Sequence, residues 1–334
     1  MTLKGHTFTI FWILIGITLF LALLLGLSGS PSRIHYTAIQ TEHINKIPPH
    51  IQEISQELTI LIGGDIMLDR SIRRQGDKHG YDSLFTDLIP LFKQSDIVVA
   101  NLEGPITSSS SKTLLANGST SKSLAFTFAT STGELLSRIG IPFVSLANNH
   151  TDNFGIKGFK ETQDILTRAG VRYFGNPWNA SSTEATVIKY GIPIAFLGYH
   201  QFQSGFNRIL GDVERLSQQG YFVIVIPHWG TEYATTSSAL QQKQARELVT
   251  AGAGAIIGSH PHVIQEHEMI GDVPVYYSLG NLLFDQYFST DVMKGNIIKL
   301  QITKDASGIH IIHTTVYETS ITRTGVTVTN ASEY

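Results

Sequence analysis

Between residues 58 and 281 the chain carries a series of short apolar runs, each closing on polar or charged side chains. They are LTILIGGD (58–65), DIVVANLE (96–103), PFVSLANNH (142–150), FVIVIPHWG (222–230), AIIGSHPH (255–262) and VPVYYSLGN (273–281). Most are too short for a helix and rich in Val, Ile, Phe and Tyr, which predicts buried strands. Amphipathic stretches lie between several of them. Leu84, Phe85, Leu88 and Phe92 line one predicted helix face, and Phe159, Ile165 and Leu166 line another after Asn153. Strand, polar residue and helix in repetition predict an α/β protein that gathers ligands at its strand ends. NIIKLQI (296–302) and GIHIIHTTVYETS (308–320) add antiparallel strands, so mixed sheets are expected.

The apolar pattern at the N-terminus is of another kind. Phe8 to Leu27 is an uncharged run about as long as the ~20 residues a membrane-spanning helix needs. We read residues 1–28 as a membrane anchor, with a cleaved signal peptide as the alternative because small residues follow in SGSPSR. Lys4 and the amino terminus on one side, against Arg33 on the other, place the bulk of the chain outside a single-pass cell membrane. Residues 29–57, with Pro31, Pro48 and Pro49, read as a stalk. The folded domain is expected at 58–325 and a tail at 326–334. Thr107 to Ser123, rich in Ser, Thr and Lys, reads as an exposed loop.

Composition narrows the chemistry. The chain has 334 residues, net charge −3 and no basic run, which excludes nucleic acid as a partner. Cysteine is absent. Thiol nucleophiles, cysteine-ligated zinc, iron–sulfur clusters and disulfides are therefore excluded.

The candidate chemistry stands at the ends of the apolar runs. Asp65 leaves the first through Gly63-Gly64, and Glu103 precedes Gly104-Pro105 in a turn. Either alone could be a helix cap or an ordinary turn residue. Asn148, Asn149 and His150 read as a helix-capping turn or as an amide metal ligand beside an acid or oxyanion contact. His228 follows Pro227 and is followed by Trp229 and Glu232. Pro261 biases His260 towards extended geometry, in which residues i and i+2 project to the same side. His260 and His262 are therefore expected to converge, binding one metal or bridging two. The other histidines (His6, His35, His43, His50, His79, His200, His267, His310 and His313) read as structural or solvated. An oxygen and imidazole set without sulfur suits Mn²⁺, Mg²⁺, Zn²⁺ or Fe. An open catalytic zinc takes about three protein ligands. Two ions roughly 3.5–4 Å apart would use the whole set.

Taken together, GGDIMLDR, ANLEGPIT, SLANNH, HWGTEY, GAGAIIGSHPHVIQ and YYSLGNLLFDQ, in that order, resemble the bacterial capsule synthesis protein (CapA, PGA_cap) family from about Leu58 to Phe288. That family is similar to the calcineurin-like metallophosphoesterases. The resemblance implies a metallophosphatase-like four-layer αββα sandwich with two mixed β-sheets. It implies Asp65, a bridging Glu103, Asn149, His228, His260 and His262 as metal ligands, with His150 as proton donor. Arg70, Asn148, Trp229, Glu232 and Asn281 are the expected substrate contacts. Two positions depart from the wider superfamily: Met67 stands where a metal-binding His would, and Asn153 where relatives carry Asp, with Asp152 next to it. The implied function is synthesis, export or trimming of an anionic surface polymer such as poly-γ-glutamate, with synthase or export subunits as partners. The implied chemistry is metal-dependent hydrolysis of a phosphoester or amide. The alternatives are a non-catalytic polymer-binding subunit and a general envelope phosphoesterase.

Overall fold

The structure is a computed structural model that describes residues 57–334 apart from 114–118, 120 and 180–183. The expected anchor (1–28) and nearly all of the expected stalk lie outside the described residues. Among the described residues no helix is long and apolar enough to cross a membrane.

The strands form two mixed sheets. The first contains β1 (Leu58–Ile66), β2 (Ile97–Leu102), β3 (Phe143–Ser145), β4 (Arg172–Phe174), β11 (Asn281–Leu283), β12 (Lys294–Asp305), β13 (Gly308–Thr322) and β14 (Gly325–Glu333). Its order is β14-β13-β12-β1-β2-β3-β4, with β11 also on β1. β1 to β4 run parallel, and β12 to β14 add antiparallel strands. The second sheet has β5 (Ala185–Lys189), β6 (Ile192–His200), β7 (Phe222–His228), β8 (Ala253–Ile257), β9 (His267–Ile270) and β10 (Val273–Tyr276), in the order β5-β6-β7-β8-β10-β9.

Period-two alternation assigns each strand face to a different core. Leu58, Ile60 and Ile62 of β1 share an inner core with Ile192, Ile194 and Phe196 of β6 and Ile224 and Ile226 of β7. Leu61 and Val98, on the other face, pack beneath α1 (Arg70–His79), α3 (Thr132–Ile139) and α4 (Gly155–Arg168). The outer face of the second sheet packs Leu197 and Val225 against Ile209 and Val213 of α5 (Phe206–Gln218) and Leu248 of α6 (Ala239–Thr250). Each fully buried Leu, Ile or Phe is worth about 1.5–3 kcal/mol. The parallel strands of both sheets therefore deliver their C-terminal ends to one edge.

Three local expectations are corrected. Leu84, Phe85, Leu88 and Phe92 do not share one helix. A 3₁₀ turn (Tyr81–Phe85) is followed by a separate short helix, α2 (Ile89–Lys93). Pro90 lies at the start of α2, where its missing N–H costs nothing, and a helix running through it would lose a hydrogen bond. VPVYYSLGN is not one strand but β10, then a crossing through Gly280 at φ 70 into β11 of the other sheet. Residues 326–333, read as a tail, belong to β14, paired along β13.

Candidate metal centre

At this shared edge the strand ends meet. Asp65 in β1 lies beside Asn101 in β2, whose Nδ2 donates to Asp65 Oδ1 at 2.8 Å. Glu103 follows β2, its backbone N–H bonded to Ile66 O. His228 ends β7 in register with His200 at the end of β6, and Ser259 bridges to His228. Two glycines allow the chains to cross closely: a Cβ on Gly64 would lie 2.0 Å from Gly280 O, and one on Gly258 2.0 Å from Tyr277 O.

The His260-Pro261-His262 segment converges on the site by another geometry than the extended one expected. His260 sits at φ 98 and His262 at φ 59, both in the left-handed region. Such positions cost about 1–3 kcal/mol each and persist where neighbours over-determine them. Here His260 N–H donates to Asp65 Oδ2 at 3.2 Å, and Pro261 O accepts from Tyr233 N–H at 2.8 Å. The rings consequently serve different groups. His262 Nδ1 lies 3.3 Å from Asp65 Oδ2 and its Nε2 3.6 Å from Glu103 Oε1. His260 Nδ1 instead lies 3.1 Å from His228 Nε2, which is 2.9 Å from Asn149 Oδ1.

Two donor groups result. Asp65, Glu103 and His262 are all buried and present ligand atoms within 4.8 Å of one another. His228 Nε2, His260 Nδ1 and Asn149 Oδ1 form the second. A cation fits the first for a specific reason: both Glu103 oxygens are buried with no hydrogen-bond partner. Buried carboxylates are otherwise paired or hydrogen-bonded. Burial drives the Glu103 carboxyl well above its ordinary range, with His262 opposing and Asp65 adding to the rise. Burial also lowers His262, but the Glu103 and Asp65 carboxylates outweigh it and hold the imidazolium to about 9. Burial pushes His260 down to about 3 and His228 well below its usual value, so both are neutral, the form that binds metals.

His150 stands at the rim of these groups. Its Nδ1 faces Asn153 Oδ1 at 3.2 Å, an oxygen that also accepts from Phe126 N–H, and its Nε2 is 3.9 Å from Glu103 Oε1. Burial lowers it to about 4. Asn153 thus orients the ring. Met67 is fully buried and its sulfur accepts from Asp69 N–H, so it offers the site no nitrogen donor.

The expected substrate contacts divide. Arg70 pairs with Asp285, its guanidinium between the rings of Phe126 and Phe284 at 5.0 and 5.5 Å. Glu232 is exposed. Trp229, Asn148 and Asn281 are buried and out of a polymer's reach. Trp229 donates its indole N–H to Tyr277 O, and Asn148 Oδ1 accepts from the N–H groups of His150 and Thr151. Asn281 faces His262.

His200, expected to be structural or solvated, is buried beside the site, its ring centroid 6.0 Å from that of His228 and its Nδ1 without a hydrogen bond. It ends an apolar run, IPIAFLGYH (192–200), like the others.

The profile of the family described as bacterial capsule synthesis protein PGA_cap matches residues 59–286. The chain belongs to this family. Among its relatives, the capsule biosynthesis protein CapA of Bacillus anthracis is 28% identical over 270 residues, covering 75% of this chain and 65% of that protein. The PGA biosynthesis protein CapA of Bacillus subtilis (strain 168) is 25% identical over 279 residues, covering 78% and 72%. The chain thus spans about two thirds of the length of the former. Similar solved structures include a hypothetical protein from Thermus thermophilus (16% identity, TM-score 0.49, 79% of this chain and 100% of that one). Another is the calcineurin-like phosphoesterase YfkN from Bacillus subtilis (14% identity, TM-score 0.44, 80% and 91%).

Proposed function

We propose that this PGA_cap protein acts on an anionic surface polymer, poly-γ-glutamate, in its synthesis, export or trimming, through a site that holds two divalent cations. We further assign it a metallophosphatase-like four-layer fold and a single-pass membrane anchor at residues 8–27, with the domain outside. The observation that carries the metal reading is Glu103: two buried carboxylate oxygens without a hydrogen-bond partner, beside Asp65 and His262. Asp65, Glu103 and His262 would hold one cation, and Asn149, His228 and His260 the other. Divalent cations there supply Lewis-acid polarisation of a phosphoryl or carbonyl oxygen.

The chain's own residues orient and exclude. Asn153 fixes the Nδ1 hydrogen of His150, which leaves Nε2 facing the crevice to handle a proton at the leaving group. Arg70, paired with Asp285, offers a planar guanidinium at the rim to a polymer carboxylate. A polymer-holding subunit without turnover is the second reading. It is favoured by Met67, which removes one nitrogen donor from the Asp65 side.

Metal content of the purified protein, paired with hydrolysis assays on poly-γ-glutamate and on phosphodiesters, tests this assignment. Metal-dependent release of glutamyl products supports trimming, and metal binding without turnover on either substrate supports the holding subunit. A His260→Ala/His262→Ala double variant that retains full metal content and function contradicts the metal reading. Recovery of the mature protein in soluble form, shortened by about thirty residues, contradicts the anchor.

A further inference from the structure

The nitrogen side of the Asn281 amide is surrounded by acceptors. Nδ2 lies 3.3 Å from His262 O, 3.1 Å from Gln286 Oε1 and 3.0 Å from Val292 O. These contacts leave a single amide orientation, with Oδ1 turned to His262 Nδ1 at 3.0 Å. A carbonyl oxygen only accepts, so the hydrogen must sit on Nδ1. Asp65 Oδ2, 3.3 Å from the same nitrogen, is a second acceptor for that hydrogen. Asn281 is fully buried at the start of β11, paired in register with Asp65 of β1.

Its amide is held in turn. Gln286 spends its Oε1 on Asn281 and directs Nε2 to the Tyr233 hydroxyl at 3.2 Å. Donation therefore runs one way, from His262 through Asn281 and Gln286 to Tyr233 at the rim. Tyr233 is 43% exposed and sits at φ 66, its N–H tied to Pro261 O between the two histidines.

We propose that Asn281 is the positioning residue that keeps the His262 hydrogen on Nδ1 and presents Nε2 towards Glu103, with Gln286 and Tyr233 bracing the amide. The ligand role of His262 in this proposal rests on the metal reading above; the placement of its hydrogen does not. Partners of this kind fix the tautomer and the ring orientation of a ligating histidine. When His262 gives up a proton to receive a cation, the proton that leaves is the one on Nε2, facing Glu103 Oε1.

Long-range ¹H–¹⁵N spectra of histidine-labelled protein read this directly. They would be recorded metal-free at alkaline pH, where the imidazole is neutral, and after Zn²⁺ loading, with His262 assigned by its loss in His262→Gln. The expected result is a protonated Nδ1 in both states, with Nε2 the nitrogen that shifts on loading. A neutral His262 protonated on Nε2 overturns the proposal. Asn281→Ala should mix the tautomers and weaken Zn²⁺ binding by about 10–100-fold, whereas Asn281→Asp, which keeps an acceptor, should retain Nδ1–H. Unchanged tautomer and affinity in Asn281→Ala also overturn it. Where Asn281→Ala does not fold, the wild-type spectra decide alone. Wild-type protein that binds no Zn²⁺ sinks the metal reading, while the metal-free spectrum still decides the placement of the hydrogen.

Discussion

Glu103 is the residue on which the candidate site turns, because its burial is unfavourable in the metal-free protein. Its carboxyl is buried without a hydrogen bond, and burial raises its pKa well above the ordinary value, so the metal-free fold gains nothing from ionising it. Glu103→Gln should therefore keep or raise the melting temperature in a chelating buffer, while reducing the rise that Mn²⁺ gives the wild type. A variant that melts lower in chelator and still responds fully to Mn²⁺ would show that Glu103 is structural. The residues that gather at the candidate site were legible because polar residues at the ends of apolar runs are few and of metal-binding type. Its division was not. Both His260 and His262 were recognisable, but their left-handed backbone depends on contacts from Asp65 and Tyr233, far away in sequence. Asn281 and Asn148 were legible as site residues but not as buried supports, since a lone asparagine carries no sign of burial.

At the scale of elements, the site depends on close crossings that only glycine permits. Gly64 of β1 passes Gly280 so closely that any Cβ would meet the carbonyl at 2.0 Å. Gly64→Ala must push β1 from the segment entering β11, and overpacking of this kind costs about 1–3 kcal/mol or more. We expect a lower melting temperature and weakened metal uptake together, because Asp65 is the next residue. Unchanged stability and uptake would mean that the crossing is looser than described. The parallel strands were readable from their composition, whereas the switch of sheet at Gly280 was not. The stretch from Val273 to Leu279, broken only by Ser278, does not by itself say where it leaves one sheet for the other. β14 was likewise missed: GVTVTNASE alternates weakly, and its pairing comes from β13.

Across the whole molecule, the buried histidines set how the metal-free protein responds to pH. Burial holds His150 and His200 at about 4 and His260 at about 3, with His228 also well below its ordinary 6.5. The unfolded chain takes up these protons first, so stability falls as pH drops below about 6.5 towards the folded values. His262 behaves oppositely. Its folded value near 9 gives stability that is complete below about 6.5 and is lost as pH rises through 9. Burial-raised Glu103 also loses its contribution as pH rises. Denaturant titrations of chelated protein should thus place maximal stability near neutrality, with the steeper decline on the acid side. A flat profile between about pH 4 and 7 would contradict the burial of neutral imidazoles. Calorimetric titration of Mn²⁺ into the chelated protein measures whether the strand ends assemble a site for divalent cations. Saturable uptake of two ions by the wild type is expected, with loss of the first in Glu103→Gln and of the second in His228→Ala. No uptake by the wild type, or undiminished uptake in both variants, would contradict such a site.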